Sequence, residues 1–487
     1  MPELRGPVVA RHRPRSLVAV SCLALAAISI LSLRAPRVRG AQDRGGRAEE
    51  VVARGLRHIR VLRGSTSVVV RYRVVVGSFD SQALADTMLA RLEGAGFSAG
   101  PHYRGSRYRI SVDALTTQEE AEATKAFLEA AGFPSGLSIE EYDQDVTHAG
   151  GPWEIHVLEA SPETVRVEVA HAYDAAIGLE TTSGLARRRG ATAAVNGGYY
   201  LRTGILQGDA LGVLQLNGTL VSEPDRGRAA LGIIETETKT QFLFGRLRFR
   251  GELLFEDGTR AILHGLNRRR ATGEIILYTP EFHRTTLTPP GGIEVIVVDN
   301  RILEIREGQG SAVIPPTGLV VSLSPPRASE LRSSLQAGAG LTPTLSLLPA
   351  EASEPDPSAQ WNQAGSIIGG GPLLLHEGRR MEDPEAESIS RVFFLSRHPR
   401  TGVGVRGDGT LLFVTVDGRQ PLKSVGMSLP ELTNLFVELG AVSAVNLDGG
   451  GSTAMVVRDR VVNFPSDPTG ERPSADAILI FSRDPSS

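Results

Sequence analysis

The chain has 487 residues, of which 41% are hydrophobic, 22% charged and 5% aromatic. This composition provides a large core and excludes wholesale disorder, and the length suggests about three domains. The formal net charge is −3, and because the first 40 residues hold seven Arg and one Glu, the rest of the chain is more acidic than that value. A nucleic-acid-binding protein would need a basic face, so no nucleic acid is expected among the partners.

The N-terminus has the pattern of an export signal, predicted over residues 1–40. Four arginines precede an uncharged apolar run, Leu17–Leu33. We expect cleavage after this run; the alternative is an uncleaved membrane anchor, because the run is close to the shortest that spans a bilayer. The protein is thus predicted to be periplasmic or associated with the cell wall, and to touch a membrane only through this segment. The sole cysteine, Cys22, lies in the run, which excludes disulfides from the exported part.

Residues 41–67 are predicted to be a linker that contains a strand. The segment RHIRVLR at 57–63 reads either as a solvated basic stretch or as a strand of the large C-terminal domain. In the second case WEIHVLE at 153–159 resumes the same sheet, and the residues between them form an inserted domain.

An internal repeat marks residues 68–146. The segments RYRVVV at 71–76 and RYRISV at 107–112 are 36 residues apart, and at the same spacing Ser81 corresponds to Thr117. Each copy predicts a strand, a helix N-cap, an amphipathic helix and a terminating glycine. Two such copies in tandem predict a small sheet with helices on one face.

These residues resemble a SPOR domain. SPOR domains are ferredoxin-like and bind peptide-stripped glycan strands of peptidoglycan, so the resemblance implies a βαβαβ unit with peptidoglycan as a partner. Alternation along the first strand places Arg71, Arg73 and Val75 on one face. The candidate glycan-binding residues are Arg71, Arg73, Tyr103 and Tyr108; the alternative is that they only cover a solvated face of the sheet.

Residues 147–487 predict a β-rich domain of mixed sheets, so the fold class is α+β. The clearest helix, Ser428–Leu439, begins with a capping box and ends at Gly440, and a second, Ser183–Arg189, ends at Gly190. The Pro- and acid-rich stretch 350–363 predicts a surface loop.

Three glycine-rich turns are the strongest local signal in this domain. Two of them, at residues 196–198 and 446–452, follow a helix and a short apolar strand, and the third is Gly369–Gly371. Glycine leaves backbone amides open to an anion; the alternative is a plain turn or a close backbone contact. No Lys follows the triple glycine and the histidines lack paired spacing, so no phosphate loop, metal or cofactor is predicted, although a structural cation stays open.

Six motifs occur together in a fixed order: VNGGYY (195–200), IIGGGPLLLHEG (367–378), HPRTGVG (398–404), FVTVDGR (413–419), GMSLPELTNLFVELGAVSAVNLDGGGSTAMVV (426–457) and ERPSADAILIF (471–481). This set is similar to the phosphodiester glycosidase family, which is related to the enzyme that uncovers mannose 6-phosphate by removing N-acetylglucosamine. The similarity covers about residues 151–481. It implies a hydrolase that cleaves the bond between a sugar's anomeric carbon and a phosphodiester, with a carbohydrate phosphodiester as substrate.

Such a reaction needs a phosphate holder and a carboxylate near the anomeric carbon. Arg400 is the first candidate for the phosphate, Asp448 is the first candidate carboxylate and Asp417 is the second. The alternatives are an ion pair for Arg400 and turn formation for the two acids. The predicted substrate-binding residues lie in or beside the glycine turns: Asn196, Gly197, Gly198, Tyr199, Gly370, Gly371, Thr401, Asn446, Gly449, Gly450, Gly451 and Ser452.

The sequence favours an exported hydrolase that a SPOR domain tethers to the cell wall, where the local substrate concentration is high. The alternative is a catalytically inactive protein that binds peptidoglycan or serves envelope or exopolysaccharide assembly. The sugar, the aglycone and the stereochemical course stay open, because the separation of two carboxyl groups cannot be read from a chain.

Overall fold

The computed structural model describes residues 38–43, 45–97, 99–104, 107–133, 137–146, 151–175, 177–225, 227–351 and 356–483. The chain divides into two compact units, residues 1–43 with 65–149, and residues 44–64 with 150–487. The apolar run Leu17–Leu33 of the predicted signal lies outside the described residues. Across the described ranges, no helix combines the length and the apolar character needed to cross a membrane.

The smaller unit is an antiparallel five-stranded sheet with two helices. Its long strand Ser65–Phe79 pairs with Val38–Asp43, Arg107–Leu115 and Ser138–Val146, and Ala99–Arg104 pairs with Arg107–Leu115. Helices α1 (Gln82–Gly94) and α2 (Gln118–Ala130) begin at the predicted caps, where the side chains of Ser81 and Thr117 accept backbone N–H bonds. Both helices pack on a core that includes Tyr72, Val74 and Val76.

The predicted α+β class and the ferredoxin-like unit are confirmed. Each copy of the repeat has one element more than its pattern predicts, because a second strand follows each helix: Ala99–Arg104 in the first copy and Ser138–Val146 in the second. The unit is therefore βαββαβ rather than βαβαβ.

The larger unit contains four sheets. In order of pairing, sheet 1 is Gly46–Ala53, Leu56–Arg63, Trp153–Ala160, Leu411–Val416, Arg400–Arg406, Ala441–Asn446, Leu373–His376 and Arg379–Arg380. Sheet 2 is Arg460–Val461, Met455–Val457, Ala193–Asn196, Asp476–Ser482 and Val165–His171. Sheet 3 is Thr219–Ser222, Leu214–Leu216, Ser366–Gly369, Ala229–Glu235, Thr240–Phe255 and Arg260–Leu263, with Leu341–Pro349 also on Thr240–Phe255. Sheet 4 is Gly265–Leu266, Ile275–Tyr278, Gly318–Leu323, Ile293–Val298 and Arg301–Glu307.

The larger unit includes the segment that precedes the repeat. Strand Leu56–Arg63 pairs with Trp153–Ala160 over its whole length, from Leu56 opposite Ala160 to Arg63 opposite Trp153. The buried Trp153 donates its indole N–H to Gly426 O at 2.8 Å, which ties the returning strand to the segment before helix Leu429–Glu438. The segment RHIRVLR is thus a strand of the large unit, and the smaller unit is inserted between it and its partner.

The remaining helices are short: α3 (Thr182–Arg189), α4 (Pro325–Leu331), α5 (Ser358–Trp361), α6 (Arg391–Leu395) and α7 (Leu429–Glu438). Helix α7 has the predicted capping box between Ser428 and Glu431. It covers one face of sheet 1, where a Cβ on Gly402 or Gly404 would lie 2.8 or 2.9 Å from the Phe436 ring. The glycines of that strand therefore permit the close approach of the helix.

The prediction of a surface loop over 350–363 is wrong in part. Residues 352–355 lie outside the described ranges, but α5 follows them and ends in Trp361, which is only 5% exposed. The Trp361 ring lies over Gly232 and Gly245 of sheet 3, where an added Cβ would come within 2.8 and 3.3 Å of it. A buried aromatic anchor fixes this segment despite its polar composition.

Candidate functional site

The ends of two strands from different sheets meet at the predicted glycine turns. Strand Ala193–Asn196 of sheet 2 and strand Ala441–Asn446 of sheet 1 both stop here. Asp448 N donates to Gly197 O at 3.2 Å, and Gly371 N donates to Asn446 O at 2.7 Å. The turns near residues 197, 370 and 450 therefore converge on one place.

Glycine is required in these turns because neighbouring side-chain and backbone atoms occupy the positions where a Cβ would lie. A Cβ on Gly197 would lie 2.0 Å from Asp476 Oδ1, and one on Gly370 would lie 2.6 Å from Asn446 O. Real Cβ atoms do not approach other atoms so closely, so any larger residue would push the strands apart.

Most of the turn amides are already used within the chain. The N–H groups of Gly198, Gly370, Gly449 and Gly450 donate to Asp476 Oδ1, Ala229 O, Asp448 Oδ1 and Pro399 O. The prediction that these amides hold an anion is wrong for this set, since each donor is satisfied by a protein acceptor. The turns shape the site, and its charge comes from side chains.

Two predicted sugar-binding residues are part of the scaffold. Asn196 is fully buried and donates from Nδ2 to Asp448 O at 2.7 Å, while its Oδ1 accepts from Thr401 Oγ1 at 2.7 Å and Ala454 N at 3.1 Å. Asn196 and Thr401 therefore hold the Asp448 turn in place instead of facing a substrate.

Tyr199 and Asn446 link the first and third turns. The Tyr199 hydroxyl donates to Gly371 O at 2.9 Å and accepts from Asn446 Nδ2, also at 2.9 Å. Burial, and after it the charge of Asp448, raise the pKa of Tyr199 above its ordinary value. The hydroxyl thus stays protonated and serves as a neutral part of the site wall.

Arg400 is a buried cation without a carboxylate partner in the part of the chain that the structure describes. It is 1% exposed and donates to the carbonyls of Phe393 at 3.2 Å, Ser396 at 2.7 Å and Met427 at 2.8 Å. No carboxylate of the described residues lies within ion-pair distance, so the ion-pair alternative does not hold for this part of the chain. Burial lowers the pKa of Arg400 to about 10, which leaves it positively charged at neutral pH.

Asp448 presents a partly buried carboxylate at the junction of the turns. Its Oδ1 accepts from Gly449 N at 2.9 Å. Burial raises the pKa of Asp448 to about 6, although the Ser452 hydroxyl, the Gly449 amide and two arginines act in the opposite direction. A carboxyl group that titrates near neutral pH is suited to proton transfer.

A second carboxyl group, Asp476, lies beside Asp448 and was not predicted from the sequence. It is 1% exposed, and its Oδ1 accepts from Gly198 N at 2.7 Å. Burial raises the pKa of Asp476 to about 7, and the charge of Asp448 adds to the rise. The available signal was one acid at the head of the apolar strand Asp476–Ser482.

Further arginines lie near the glycine turns, and two of them, Arg202 and Arg472, lower the pKa of Asp448. The Arg228 guanidinium lies 5.6 Å from the Tyr199 ring centroid. Arg472 makes a bidentate pair with Asp467 at 2.7 and 2.9 Å, against Gly451, where a Cβ would lie 2.0 Å from its Nη2. Arg228 also lies 3.7 Å from Asp225, so of Arg228, Arg472 and Arg400 only Arg400 has no carboxylate partner among the described residues.

Asp417, the second predicted carboxylate, belongs to a different group of residues. Its Oδ1 accepts from Asn463 Nδ2 at 3.1 Å and Phe464 N at 3.0 Å, and its carboxylate lies near Glu154 and His156. Burial raises the pKa of Asp417 to about 6, and His156 acts in the opposite direction. Its side-chain hydrogen bonds do not include the glycine turns.

In the smaller unit, the predicted glycan-binding residues divide between two faces. Arg71 and Arg73 alternate with the buried Tyr72 and Val74, so they lie on the face away from the helices. Tyr108 instead packs against the core beneath the helices, which contradicts its placement with the arginines. The Tyr103 side chain lies outside the described residues.

Two family models match the chain. Residues 292–481 match the model described as phosphodiester glycosidase, and residues 69–138 match the SPOR domain. Among curated proteins, the SPbeta prophage-derived protein YomE of Bacillus subtilis is 42% identical over 84 residues, 17% of this chain and 13% of that protein. The N-acetylglucosamine-1-phosphodiester alpha-N-acetylglucosaminidase of Bos taurus is 32% identical over 104 residues, 21% of this chain and 19% of the relative.

The matched region spans about a fifth or less of the length of these curated relatives. Among solved structures, an exported-protein candidate of Burkholderia pseudomallei has a TM-score of 0.67 at 24% identity, covering 92% of this chain and 100% of that one. A Synechocystis protein has a TM-score of 0.58 at 19% identity, covering 93% of this chain and 82% of that one. At these identities the structures share the fold. The chain combines a phosphodiester glycosidase-like domain with a SPOR domain.

Proposed function

We propose that this protein hydrolyses glycosyl phosphodiesters, and that its SPOR domain holds it at the cell wall after export. One observation carries the proposal. A buried arginine with no carboxylate partner in the described chain, Arg400, belongs to the same cluster of strand ends as two carboxyl groups with raised pKa values, Asp448 and Asp476. A buried, unneutralised cation favours an anionic ligand, and a phosphodiester is one.

The phosphodiester would be held by arginine. Two of the three guanidinium nitrogens of Arg400, Nε and Nη2, donate to backbone carbonyls, while Nη1 makes no hydrogen bond within the described ranges. Fixed in this way, Arg400 offers Nη1 to a phosphate oxygen without a large loss of side-chain entropy.

Asp448 would act at the anomeric carbon. Its carboxylate is partly buried and so can be reached by water, and in its ionised form it can activate that water or stabilise an oxocarbenium-like charge. Cleavage of the bond at the anomeric carbon releases a phosphate monoester, which is a good leaving group, so a strong general acid is less necessary than in an ordinary glycosidase. Asp476 is more deeply buried and holds Gly198, and we assign it a positioning role.

The SPOR domain would bring this activity to peptidoglycan. Arg71 and Arg73 lie on the helix-free face of its sheet, where a glycan strand could lie across the strands. With the export signal predicted over residues 1–40, the hydrolase would act in the periplasm or at the wall, close to polymers with glycosyl-phosphate links.

The test is hydrolysis of aryl- and UDP-linked sugar 1-phosphodiesters, with several sugars, by the full chain and by Asp448→Asn. The expected result is activity in the parent that falls by about 10²- to 10⁴-fold in the variant. Asp408→Asn, which changes an exposed acid in a turn after the Arg400 strand, is the matched control. Equal and negligible activity in all three proteins would favour the inactive wall-binding protein.

A pull-down on peptide-stripped glycan, with Arg71→Ala/Arg73→Ala as the comparison, tests the tether separately.

A further inference from the structure

A second cluster of chemically reactive side chains lies in the large unit, outside the proposed hydrolase site. Glu154 and His156 are two residues apart on strand Trp153–Ala160, so both point to the same face of sheet 1. Asp417 follows the neighbouring strand, and its backbone N–H donates to Glu154 O at 2.9 Å. One side-chain nitrogen or oxygen from each of the three residues lies within 4.8 Å of the others.

His156 gives this cluster its chemical character. It is 1% exposed, and its Nε2 is buried without a hydrogen-bond partner among the described residues. The nearest acidic oxygen, Glu154 Oε1, is 3.7 Å away, too far for a good hydrogen bond. A buried ring nitrogen without a partner is costly, so its persistence between two carboxylates calls for an explanation.

The other nitrogen of His156 is occupied. Its Nδ1 lies 3.0 Å from Nε2 of His58, and the two ring planes are parallel to within 2°, so the rings meet edge to edge through these nitrogens. When Nδ1–H donates to His58, Nε2 carries a bare lone pair that faces the two carboxylates. A histidine oriented in this way by its second nitrogen is the usual arrangement of a metal ligand.

We propose that Glu154, His156 and Asp417 bind a divalent transition-metal ion, with His58 as the residue that positions His156. One imidazole nitrogen with two carboxylate oxygens suits Zn²⁺ or Mn²⁺. Ca²⁺ and Mg²⁺ prefer shells made of oxygen alone, which makes them weaker candidates. The metal lies beyond the proposed glycosidase function, because no residue assigned to that function is among its ligands.

The geometry needs a modest contraction. Neighbouring ligand atoms that lie about 2.1 Å from one tetrahedral or octahedral ion are about 3.0 to 3.4 Å apart. Side-chain rotations that move the ligand atoms of Glu154, His156 and Asp417 by about 1 Å would bring them to these distances. Arg60 is the competitor, since its Nη2 lies 2.6 Å from Glu154 Oε1. The ion would bind Oε2 of Glu154, or it would replace Arg60 at Oε1.

The surroundings leave room for further ligands. A cavity of about 540 Å³ opens beside the cluster, and its lining combines Glu154, His156, Glu50 and His58 with the cations Arg60, Lys423 and Arg460. Three protein ligands with open positions are typical of ions that bind water or an exogenous anion, whereas purely structural ions have closed shells.

The test is metal content and affinity of the full chain, purified without a histidine tag and stripped with a chelator. After dialysis against Zn²⁺ or Mn²⁺, mass spectrometry of the metals is expected to find one equivalent per chain, and calorimetry one site. His156→Gln and Asp417→Asn are expected to weaken binding at least 100-fold, and His58→Phe about tenfold, in line with ligand and outer-shell roles. The matched control is His264→Gln, which removes a histidine just before the edge strand Gly265–Leu266 of sheet 4.

Circular dichroism shows whether each variant folds. If His156→Gln does not fold, Glu154→Gln provides a second test of the ligand set. A thermal shift on adding Zn²⁺, present in the parent and in His264→Gln but absent in the three ligand variants, would support the site. Substoichiometric metal in the parent, or equal affinity in the parent and in folded ligand variants, would overturn it. Neither readout depends on hydrolysis, so failure of the metal site and failure of the proposed function are distinguishable.

Discussion

Asp417 and Asp448 look alike in the sequence but occupy different chemical environments. Each follows a strand of sheet 1 and precedes a glycine, and burial raises the pKa of each to about 6. Asp448 meets glycine turns from other strands, a second carboxyl group and arginines. Asp417 meets Glu154 and His156 beside a cavity.

This difference shows that the chemical role of a carboxylate at a strand end depends on the residues that neighbouring strands place beside it. Residues of sheet 2, Asp476 and Gly197, lie next to Asp448. Residues of strand Trp153–Ala160, Glu154 and His156, lie next to Asp417. Arg400, a buried arginine without a carboxylate partner in the described chain, favours an anionic ligand near the first acid, while clustered oxygen and nitrogen donors favour a cation at the second.

The largest expected effect separates the two acids by activity. Asp448→Asn removes the carboxylate proposed to act at the anomeric carbon while keeping its size, and we expect kcat/KM for a sugar 1-phosphodiester to fall by about 10²- to 10⁴-fold. Asp417→Asn is expected to reduce metal binding far more than it reduces hydrolysis. Equal losses of hydrolysis in the two variants would remove the distinction between the sites.

The sequence predicted the parts of the site that depend on local patterns. Short-range sequence patterns mark the glycine turns, the capping box of Ser428 and the apolar strands that end at the turns. The structure brings the three turns together. Asp476 and the pair of His58 with His156 were missed because they meet through strand pairing between distant segments. The roles of Asn196 and Thr401 were misassigned, since sequence alone does not say whether a polar side chain faces a ligand or a neighbouring turn.

Asp476 predicts a dependence of stability on pH. Its folded pKa of about 7 lies above the usual value of 3.8, so the folded state binds more protons between these values, and its contribution to stability is lost as the pH rises from about 4 to 7. Asp476→Asn keeps the acceptor for Gly198 N and removes the buried charge. We expect it to raise the free energy of unfolding at pH 8 by a few kcal/mol, on the order of 1.4 kcal/mol per pKa unit at most, with little change at pH 4.

Urea unfolding at the two pH values measures this effect. Asp459→Asn, at an exposed turn of the same sheet, should show no comparable gain at the higher pH. If Asp476→Asn lowers the free energy of unfolding equally at pH 4 and pH 8, the charge of Asp476 is compensated in the folded protein. Its environment would then resemble that of a surface acid.

Substitutions in the turns test how tightly the strand ends are packed. Gly197→Ala would place Cβ 2.0 Å from Asp476 Oδ1 and 2.8 Å from Ile368 Cδ1, and we expect a loss of about 1–3 kcal/mol in the free energy of unfolding. Gly365→Ala, where nothing lies within 4 Å of the added atom, is the control and should change it by no more than about 0.5 kcal/mol. Similar losses in both would mean that the turn yields without strain.

Arg400→Lys tests the cation that distinguishes the Asp448 site from the metal-ligand cluster. Lysine keeps the charge but has no planar fork, so it cannot satisfy the three carbonyls and a phosphate oxygen together. We expect KM to rise roughly tenfold, about 1.4 kcal/mol, with a smaller change in kcat, because the lost contact would be made in both ground and transition states. Arg379→Lys, on an exposed edge strand of sheet 1, should leave both constants unchanged. If Arg400→Lys lowers kcat alone, the guanidinium acts on the transition state and not as a holder of the phosphate, whereas unchanged constants would return Arg400 to a purely structural role.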